Sequence, residues 1–173
     1  MRECVDSLDA VLRLHRMWLL NPSEGRQAEL SGDVFDQEEF HDADLRRAVA
    51  VAASFLNARF YDADLSGADL EQARFAYARL MHSKFAGVRA VRACFRGARI
   101  DHCDFSGADL RNVDFSRAML IECNFRGADL RECVFEETRM RGGDFCGADL
   151  RGAVGLRREI VGEMRIDGET RLQ

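Results

Sequence analysis

Large apolar residues recur at every fifth position over most of the chain, as at Phe105, Leu110, Phe115, Leu120 and Phe125. A small residue stands two positions before most of them, and the other three positions of each unit are mainly polar. Neither the helix period of about 3.6 residues nor the strand period of about two gives this spacing. A five-residue unit that buries one large and one small side chain predicts one side of a backbone wound into many-sided coils.

The number of sides in each coil follows from core residues that recur twenty positions apart. Steps of twenty keep residues of one type together, whereas steps of fifteen mix them. Because stacked coils place equivalent residues above one another, this predicts four sides for each coil. The predicted core columns are Phe35, Phe55, Phe75, Phe95, Phe115 and Phe135; Phe85, Phe105, Phe125 and Phe145; and Leu70, Leu110, Leu130 and Leu150.

Several units contain the tripeptide Ala-Asp-Leu, at residues 63–65, 68–70, 108–110, 128–130 and 148–150. With these units the chain resembles the pentapeptide repeat family, whose consensus is A(D/N)LXX, over roughly residues 28–154. The resemblance implies an all-β solenoid, a right-handed quadrilateral parallel β-helix, here of about six coils. We assign residues 25–154 to this β-helix.

Both ends of a solenoid need a cover, because open coil edges pair with other chains. Residues 1–24 are predicted to form an N-terminal helix that caps the first coil and buries Trp18. The alternative for this helix is the binding of a partner. Residues 155–173 are predicted to form a short C-terminal cap, and Asp167-Gly168 between alternating runs favours a β-hairpin there.

The composition is typical of a folded domain outside the membrane. The 173 residues carry a net charge of −5, and the N-terminus has no apolar run of membrane length. The six cysteines form no CxxC pair, so reduced thiols and a cytoplasmic location are predicted. Cys103, Cys123 and Cys133 occupy the small inward position, whereas Cys94 and Cys146 are expected to face outward.

The residue before each large core residue faces outward and sorts the surface charge into columns. Two acidic columns contain Asp44, Asp64, Asp104 and Asp144, and Asp69, Asp109, Asp129 and Asp149. A basic column on another side contains Arg59, Arg79, Arg99 and Arg139. The modest net charge therefore conceals an acidic half and a basic stripe.

Motifs of catalysis and cofactor binding are absent from the sequence, which contains no GxSxG, Walker loop, HExxH or glycine-rich dinucleotide turn. We therefore predict a non-catalytic protein without a cofactor. One outer column contains His82 and His102, which a transition metal ion could bridge together with a neighbouring carboxylate. A solvated ladder of polar groups is the preferred interpretation of this column, so no metal is predicted.

Two functions compete for the charged columns. In the first, the solenoid is a rigid protein-binding scaffold with an unknown partner. In the second, implied by the family resemblance, the acidic columns imitate DNA and bind a DNA-handling protein such as DNA gyrase, a type II topoisomerase. The scaffold is preferred because aspartate belongs to the family consensus and the arginine column has no counterpart on DNA. We expect a bacterial or phage protein, a monomer or weak dimer, without direct binding to nucleic acid or membrane.

Overall fold

The computed structural model describes residues 7–172, so Gln173 and the first part of the predicted cap, including Cys4, lie outside the described residues. Six parallel strands form one sheet in chain order. They are β1 (Glu39–His41), β2 (Arg59–Tyr61), β3 (Arg79–Met81), β4 (Arg99–Asp101), β5 (Met119–Asn124) and β6 (Arg139–Asp144). Each strand pairs with the next in a register of twenty residues, as at Phe60 opposite Leu80.

Single bridges connect the coils along the other three sides, again in parallel and, before the C-terminal tail, with a spacing of twenty residues. Examples are Asp44 with Asp64, Val49 with Asp69, and Ser54 with Arg74. The sheet and these bridges confirm the predicted parallel β-solenoid. Its six strands span about five full turns from the first strand to the last.

Each corner of a coil contains one residue with a left-handed backbone conformation. Along one coil these residues are Tyr77 (φ 59°), His82 (φ 51°), Gly87 (φ 62°) and Arg92 (φ 59°). This conformation costs a non-glycine residue about 1–2 kcal/mol. Hydrogen bonds between coils offset that cost, as where the N–H of Tyr77 donates to the carbonyl of Arg96 (2.9 Å). The corners therefore accept many residue types, and their side chains project into solvent.

The interior is a continuous stack of side chains from the predicted core columns. Phe95 is fully buried, and its ring stacks on Phe75 and Phe115 with centroid distances of 4.8 and 5.4 Å. The ring of Phe85 meets Phe95 edge-on at 6.4 Å. All the residues of the predicted core columns are buried except Phe35, in the first coil, which is half-buried. Each coil is therefore stabilised mainly by its two neighbours.

Helix α1 (Leu8–Leu20) packs against the N-terminal end of the solenoid core. It begins after Ser7, whose hydroxyl accepts a hydrogen bond from the Ala10 N–H (3.3 Å). The predicted burial of Trp18 is wrong, since Trp18 is half-exposed and His15 is the buried residue of this helix. The inward position of the helix thus belongs to a polar residue.

His15 takes this position because it satisfies two backbone groups at once. The Ala28 N–H donates to Nδ1 (2.9 Å), so Nε2 carries the proton and donates to the Arg46 carbonyl (3.0 Å). An indole has a single N–H and no acceptor, so a tryptophan could not make both bonds. Trp18 instead stacks on the His15 ring (5.6 Å) and lies under the guanidinium of Arg47 (5.0 Å).

The C-terminal tail continues the solenoid instead of forming the predicted hairpin. After helix α2 (Arg158–Gly162), Arg165 bridges Asp144 and Arg171 bridges Asp149, and both bridges are parallel. The tail therefore pairs with the coil before it and not with itself. Neither helix, nor any other helix within residues 7–172, is long and apolar enough to cross a membrane.

Asp167 fastens this tail to the last full coil. Its carboxylate accepts hydrogen bonds from the N–H groups of Gly147 (2.9 Å), Glu169 (3.0 Å) and Thr170 (3.0 Å). These bonds, that from Gly147 foremost, lower the pKa of Asp167 to about 2. Beneath the tail, Cys146 is buried rather than exposed as predicted. The Asp167 turn thus acts as a clasp, which explains why no hairpin forms.

Replacing Asp167 with alanine should release the tail, because three backbone N–H groups lose their acceptor. We expect faster amide hydrogen exchange over residues 164–172, with unchanged exchange in the phenylalanine core. Glu169→Ala in the same turn is the matched control and should exchange like the parent. Equal exchange rates in the two variants would show that the clasp is not formed by Asp167.

Candidate functional site

The two predicted acidic columns are largely neutralised by basic side chains. Four aspartates pair with the arginine two residues later. These pairs are Asp44–Arg46 (2.7 Å), Asp109–Arg111 (2.7 Å), Asp129–Arg131 (2.6 Å) and Asp149–Arg151 (2.6 Å). Three others pair with cations of nearby coils, namely Asp69–Arg89 (3.0 Å), Asp144–Arg126 (3.1 Å) and Asp64–Lys84 (4.0 Å). The surface therefore alternates in sign and is not a continuous negative stripe.

The aspartates also have a structural role at the corners. The N–H two residues later donates to the carboxylate in Asp64 (2.9 Å, from Ser66) and Asp104 (3.0 Å, from Ser106). This arrangement is an Asx-turn, which lets a side chain complete a tight bend of the backbone. The aspartates of the repeat are thereby explained by folding, and binding is not needed to account for them.

Sequence reasoning missed the pairing of these columns, although the signal was present. The tetrapeptide Ala-Asp-Leu-Arg recurs at residues 43–46, 108–111, 128–131 and 148–151. In each copy the arginine stands just beyond the large core residue, so it lies beside the aspartate on the outside. The Arg151 guanidinium is the main reason that the pKa of Asp149 is lowered to about 2.

The basic column differs from the acidic columns because its like charges stand directly beside one another. Arg59 is opposite Arg79, and Arg79 is opposite Arg99, in the register of the sheet. Arg59 bonds to Glu39 and Arg99 bonds to Asp101 (3.0 Å). Arg79 and the fourth member, Arg139, form no ion pair within residues 7–172. Cationic charge is thus left uncompensated at the middle of this column.

Three members of a second column of the same sheet, which also contains Asp101 and Arg141, are apolar or aromatic. Tyr61, Met81 and Ile121 point outward from β2, β3 and β5 and are half-exposed. The ring of His41 stacks on Tyr61 at 4.9 Å. At the corner before β3, Tyr77 is 58% exposed. Tyrosine, methionine and arginine are the residue types that are enriched in protein interfaces. We call the outer surface of strands β1–β6 the sheet face.

His82 and His102 lie at a corner bordering the sheet face, with ring centroids 5.2 Å apart. His102 is held by two carboxylates: Nδ1 contacts Asp101 (2.6 Å) and Nε2 contacts Glu122 (3.1 Å). The Asp101 hydrogen bond is the main cause of a raised pKa of His102. In the described part of the chain, no three His, Cys, Asp or Glu residues are grouped to hold a metal ion.

The buried cysteines are packing residues. Cys103, Cys123 and Cys133 are free thiols in the core. Burial raises the pKa of the Cys103 thiol, and it raises those of Cys123 and Cys133 to about 12. A thiol with such a pKa is protonated at neutral pH and is a poor nucleophile.

Solved structures with a similar chain trace are themselves pentapeptide repeat proteins. Trypsin-treated QnrB1, a plasmid-mediated fluoroquinolone resistance protein, is 19% identical with a TM-score of 0.48, covering 83% of this chain and 88% of QnrB1. A protein from the thylakoid lumen of Arabidopsis thaliana is 25% identical with a TM-score of 0.37, covering 72% and 66%. HetL of Nostoc sp. strain PCC 7120, involved in heterocyst differentiation regulation, is 20% identical with a TM-score of 0.40, covering 91% and 78%.

Sequence comparison gives the family directly. No curated protein matches the chain. The sequence profile of the family described as pentapeptide repeats matches in 8 copies, over residues 39–76, 63–101, 98–136 and 128–154. Together these matches cover well over half of the chain, in the segment that forms the solenoid. The chain therefore belongs to the pentapeptide repeat family.

Proposed function

We propose that this protein is a non-catalytic, rigid scaffold that binds a protein partner through the sheet face. The observation that carries the proposal is the composition of that face. Half-exposed Tyr61, Met81 and Ile121 lie beside a column of arginines, whereas the acidic columns are largely neutralised within the chain. A few aromatic, methionine and arginine anchors usually provide most of the binding energy of an interface.

The solenoid suits this role because its backbone is ordered before a partner arrives. Backbone hydrogen bonds join each coil to the next on all four sides. Examples are the bonds from the Phe95 N–H to the Asp114 carbonyl (2.8 Å) and from the Leu110 N–H to the Asp129 carbonyl (2.9 Å). The side chains of the sheet face are therefore held in fixed register. Binding to such a surface avoids the entropic cost of ordering a loop.

DNA mimicry is less well supported by the charges. An imitation of DNA needs dense, uncompensated negative charge along its length. Here the arginines beside Asp109, Asp129 and Asp149 cancel that charge at distances of 2.7, 2.6 and 2.6 Å. In a supercoiling assay with DNA gyrase, we accordingly expect neither inhibition nor protection by the purified protein.

The scaffold function can be tested by affinity capture from a bacterial lysate. The double variant Tyr61→Ser, Ile121→Ser should lose a partner that the parent retains, because it removes two anchors from the sheet face. The control Val51→Ser, Val91→Ser removes two half-exposed apolar groups from another side and should retain the partner. Melting curves must show that both variants are folded. Retention by both variants, or loss by both, would contradict binding through the sheet face.

A further inference from the structure

The corner residue Tyr77 combines exposure with a fixed position. Its side chain is 58% exposed, yet its ring packs against the backbone of the next coil at Gly97. A Cβ at residue 97 would lie 2.6 Å from Tyr77 Cε1. The Tyr77 ring can therefore pack against this backbone only because residue 97 is a glycine. An exposed aromatic ring whose orientation is set by packing is the kind of anchor that interfaces use.

Arginines surround this ring on both sides of the corner. Arg79 and Arg99 follow it on the sheet face, and Arg74 and Arg96 stand exposed on the adjoining side. Arg99 bonds to Asp101, but Arg79 has no acidic partner among residues 7–172. A chain with a net charge of −5 thus concentrates positive charge around one tyrosine. We call these four arginines, with Tyr77 and Met81, the Tyr77 patch.

The stacking of the arginines has an energetic cost that an anion would relieve. Like charges directly opposite each other on neighbouring strands destabilise a sheet. Arg79 is opposite Arg59 on one side and Arg99 on the other. Acidic side chains of this protein neutralise the two outer arginines only. Folding does not explain the central cation, but a carboxylate from another molecule would.

We infer that the Tyr77 patch binds an acidic segment of the partner protein, with a carboxylate on Arg79 and an apolar side chain between Tyr77 and Met81. The inference rests on the proposed scaffold function. An open cleft of ≈ 560 Å³ is present at this point, and its lining contains both cationic side chains and apolar or aromatic ones. The residues that line it are Tyr77, Ala78, Arg79, Met81, Gly97 and Arg99.

The spacing of the arginines favours a helical segment. Neighbouring coils are about 4.8 Å apart, and residues three or four apart on a helix have Cβ atoms about 5–6 Å apart. Side chains on one side of an extended strand are about 6.6 Å apart. Two glutamates on successive turns of a helix therefore match the stacked arginines more closely than two glutamates of a strand.

Charge at the far edge of the sheet face argues against nucleic acid as the occupant. Asp42 and Asp62 at the ends of β1 and β2, and Glu122 within β5, share the corner column that also contains His82 and His102. A phosphate backbone crossing the whole face would meet these carboxylates, whereas a short acidic segment at Tyr77 does not reach them. The protein's overall negative charge opposes a long polyanion as well.

The test measures binding of a fluorescein-labelled peptide of about 15 residues, long enough to be helical, with Glu at i, i+4 spacing and one Phe. We expect saturable binding by anisotropy, and none for the same peptide with Gln in place of Glu. Arg79→Gln should weaken binding about tenfold or more, since a charge-assisted hydrogen bond is lost. Gly97→Ala, which displaces the Tyr77 ring, should weaken it as well. The control Arg92→Gln, at the opposite corner of the side that carries Arg74 and Arg96, should bind like the parent.

Two outcomes would overturn this inference. The first is that the Glu peptide does not bind, or binds Arg79→Gln as well as the parent. The second is that a labelled oligothymidylate binds the parent and loses affinity for Arg79→Gln, while binding of the peptide does not depend on Arg79. That result would make the patch a nucleic-acid site. Either result leaves the capture experiment with Tyr61 and Ile121 intact, so failure of the acidic segment and failure of the scaffold function are distinguishable.

Discussion

Phe95→Asp should abolish cooperative folding of the solenoid. Phe95 is fully buried, with its ring stacked between Phe75 (4.8 Å) and Phe115 (5.4 Å). A carboxylate at this point would lose its hydration without gaining a partner, which proteins tolerate only at great cost. Because each coil is stabilised by its neighbours, a defect in a central coil removes support from both halves of the stack. Thermal melting followed by circular dichroism should show no cooperative transition.

Two further variants separate loss of packing from a general effect of substitution. Phe95→Ala removes the ring without adding charge and should lower the free energy of unfolding by about 3–5 kcal/mol. Arg92→Asp introduces the same carboxylate at an exposed corner with φ 59°, where aspartate is well tolerated. We expect it to melt like the parent. A parent-like melting curve for Phe95→Asp would mean that residue 95 does not face the core.

The fold could be predicted from the sequence because every coil solves the same burial problem. Large residues five apart must face one interior, and residues twenty apart must lie above one another. The sheet register repeats that second spacing, from Phe60 opposite Leu80 to Ile100 opposite Leu120. Short-range spacing was sufficient here because the partner of each coil is the next segment of the chain.

The structures of the N-terminal helix and the C-terminal tail were predicted incorrectly in part, because their contacts depend on the three-dimensional position of single groups and not on a periodic pattern. Hydropathy favours Trp18 over His15 as the buried residue of α1, but the first coil presents a backbone N–H and a carbonyl that an imidazole satisfies and an indole does not. Asp167-Gly168 predicts a turn correctly, yet nothing in that dipeptide says that Gly147 is its partner. At the candidate site, the structure shows that, among residues 7–172, Arg79 is the arginine without an acidic partner at the centre of the column. The twenty-residue spacing of the arginines in the sequence does not show this.

Replacing His15 should loosen the N-terminal cap. His15→Leu leaves the Ala28 N–H and the Arg46 carbonyl without partners in a buried place, at a cost of about 1–3 kcal/mol each. Trp18 is the only tryptophan of the chain and stacks on His15, so its fluorescence reports the cap specifically. We expect the urea midpoint of the fluorescence transition to fall well below that of the parent.

The cap should also weaken in mild acid. Desolvation lowers the pKa of His15 from its usual value near 6.5, and the arginine at residue 46 opposes its protonation, while the Arg46 carbonyl and Asp44 act the other way. Below pH 6.5, His15 therefore binds a proton more readily in the unfolded cap than in the folded cap. The contribution of His15 to stability should be constant at higher pH and fall by up to about 1.4 kcal/mol per pH unit as the pH drops below 6.5.

A variant without the imidazole isolates this effect from the other histidines. The amide of His15→Gln can still accept a hydrogen bond from the Ala28 N–H and donate one to the Arg46 carbonyl, but it does not titrate. The raised pKa of His102 has the opposite sign, because it stabilises the protein at low pH and that contribution is lost as the pH rises. We therefore expect the Trp18 fluorescence transition to shift to lower urea between pH 7.5 and 5.5 in the parent and to stay fixed in His15→Gln. Equal shifts in both proteins would mean that protonation of His15 does not control the cap.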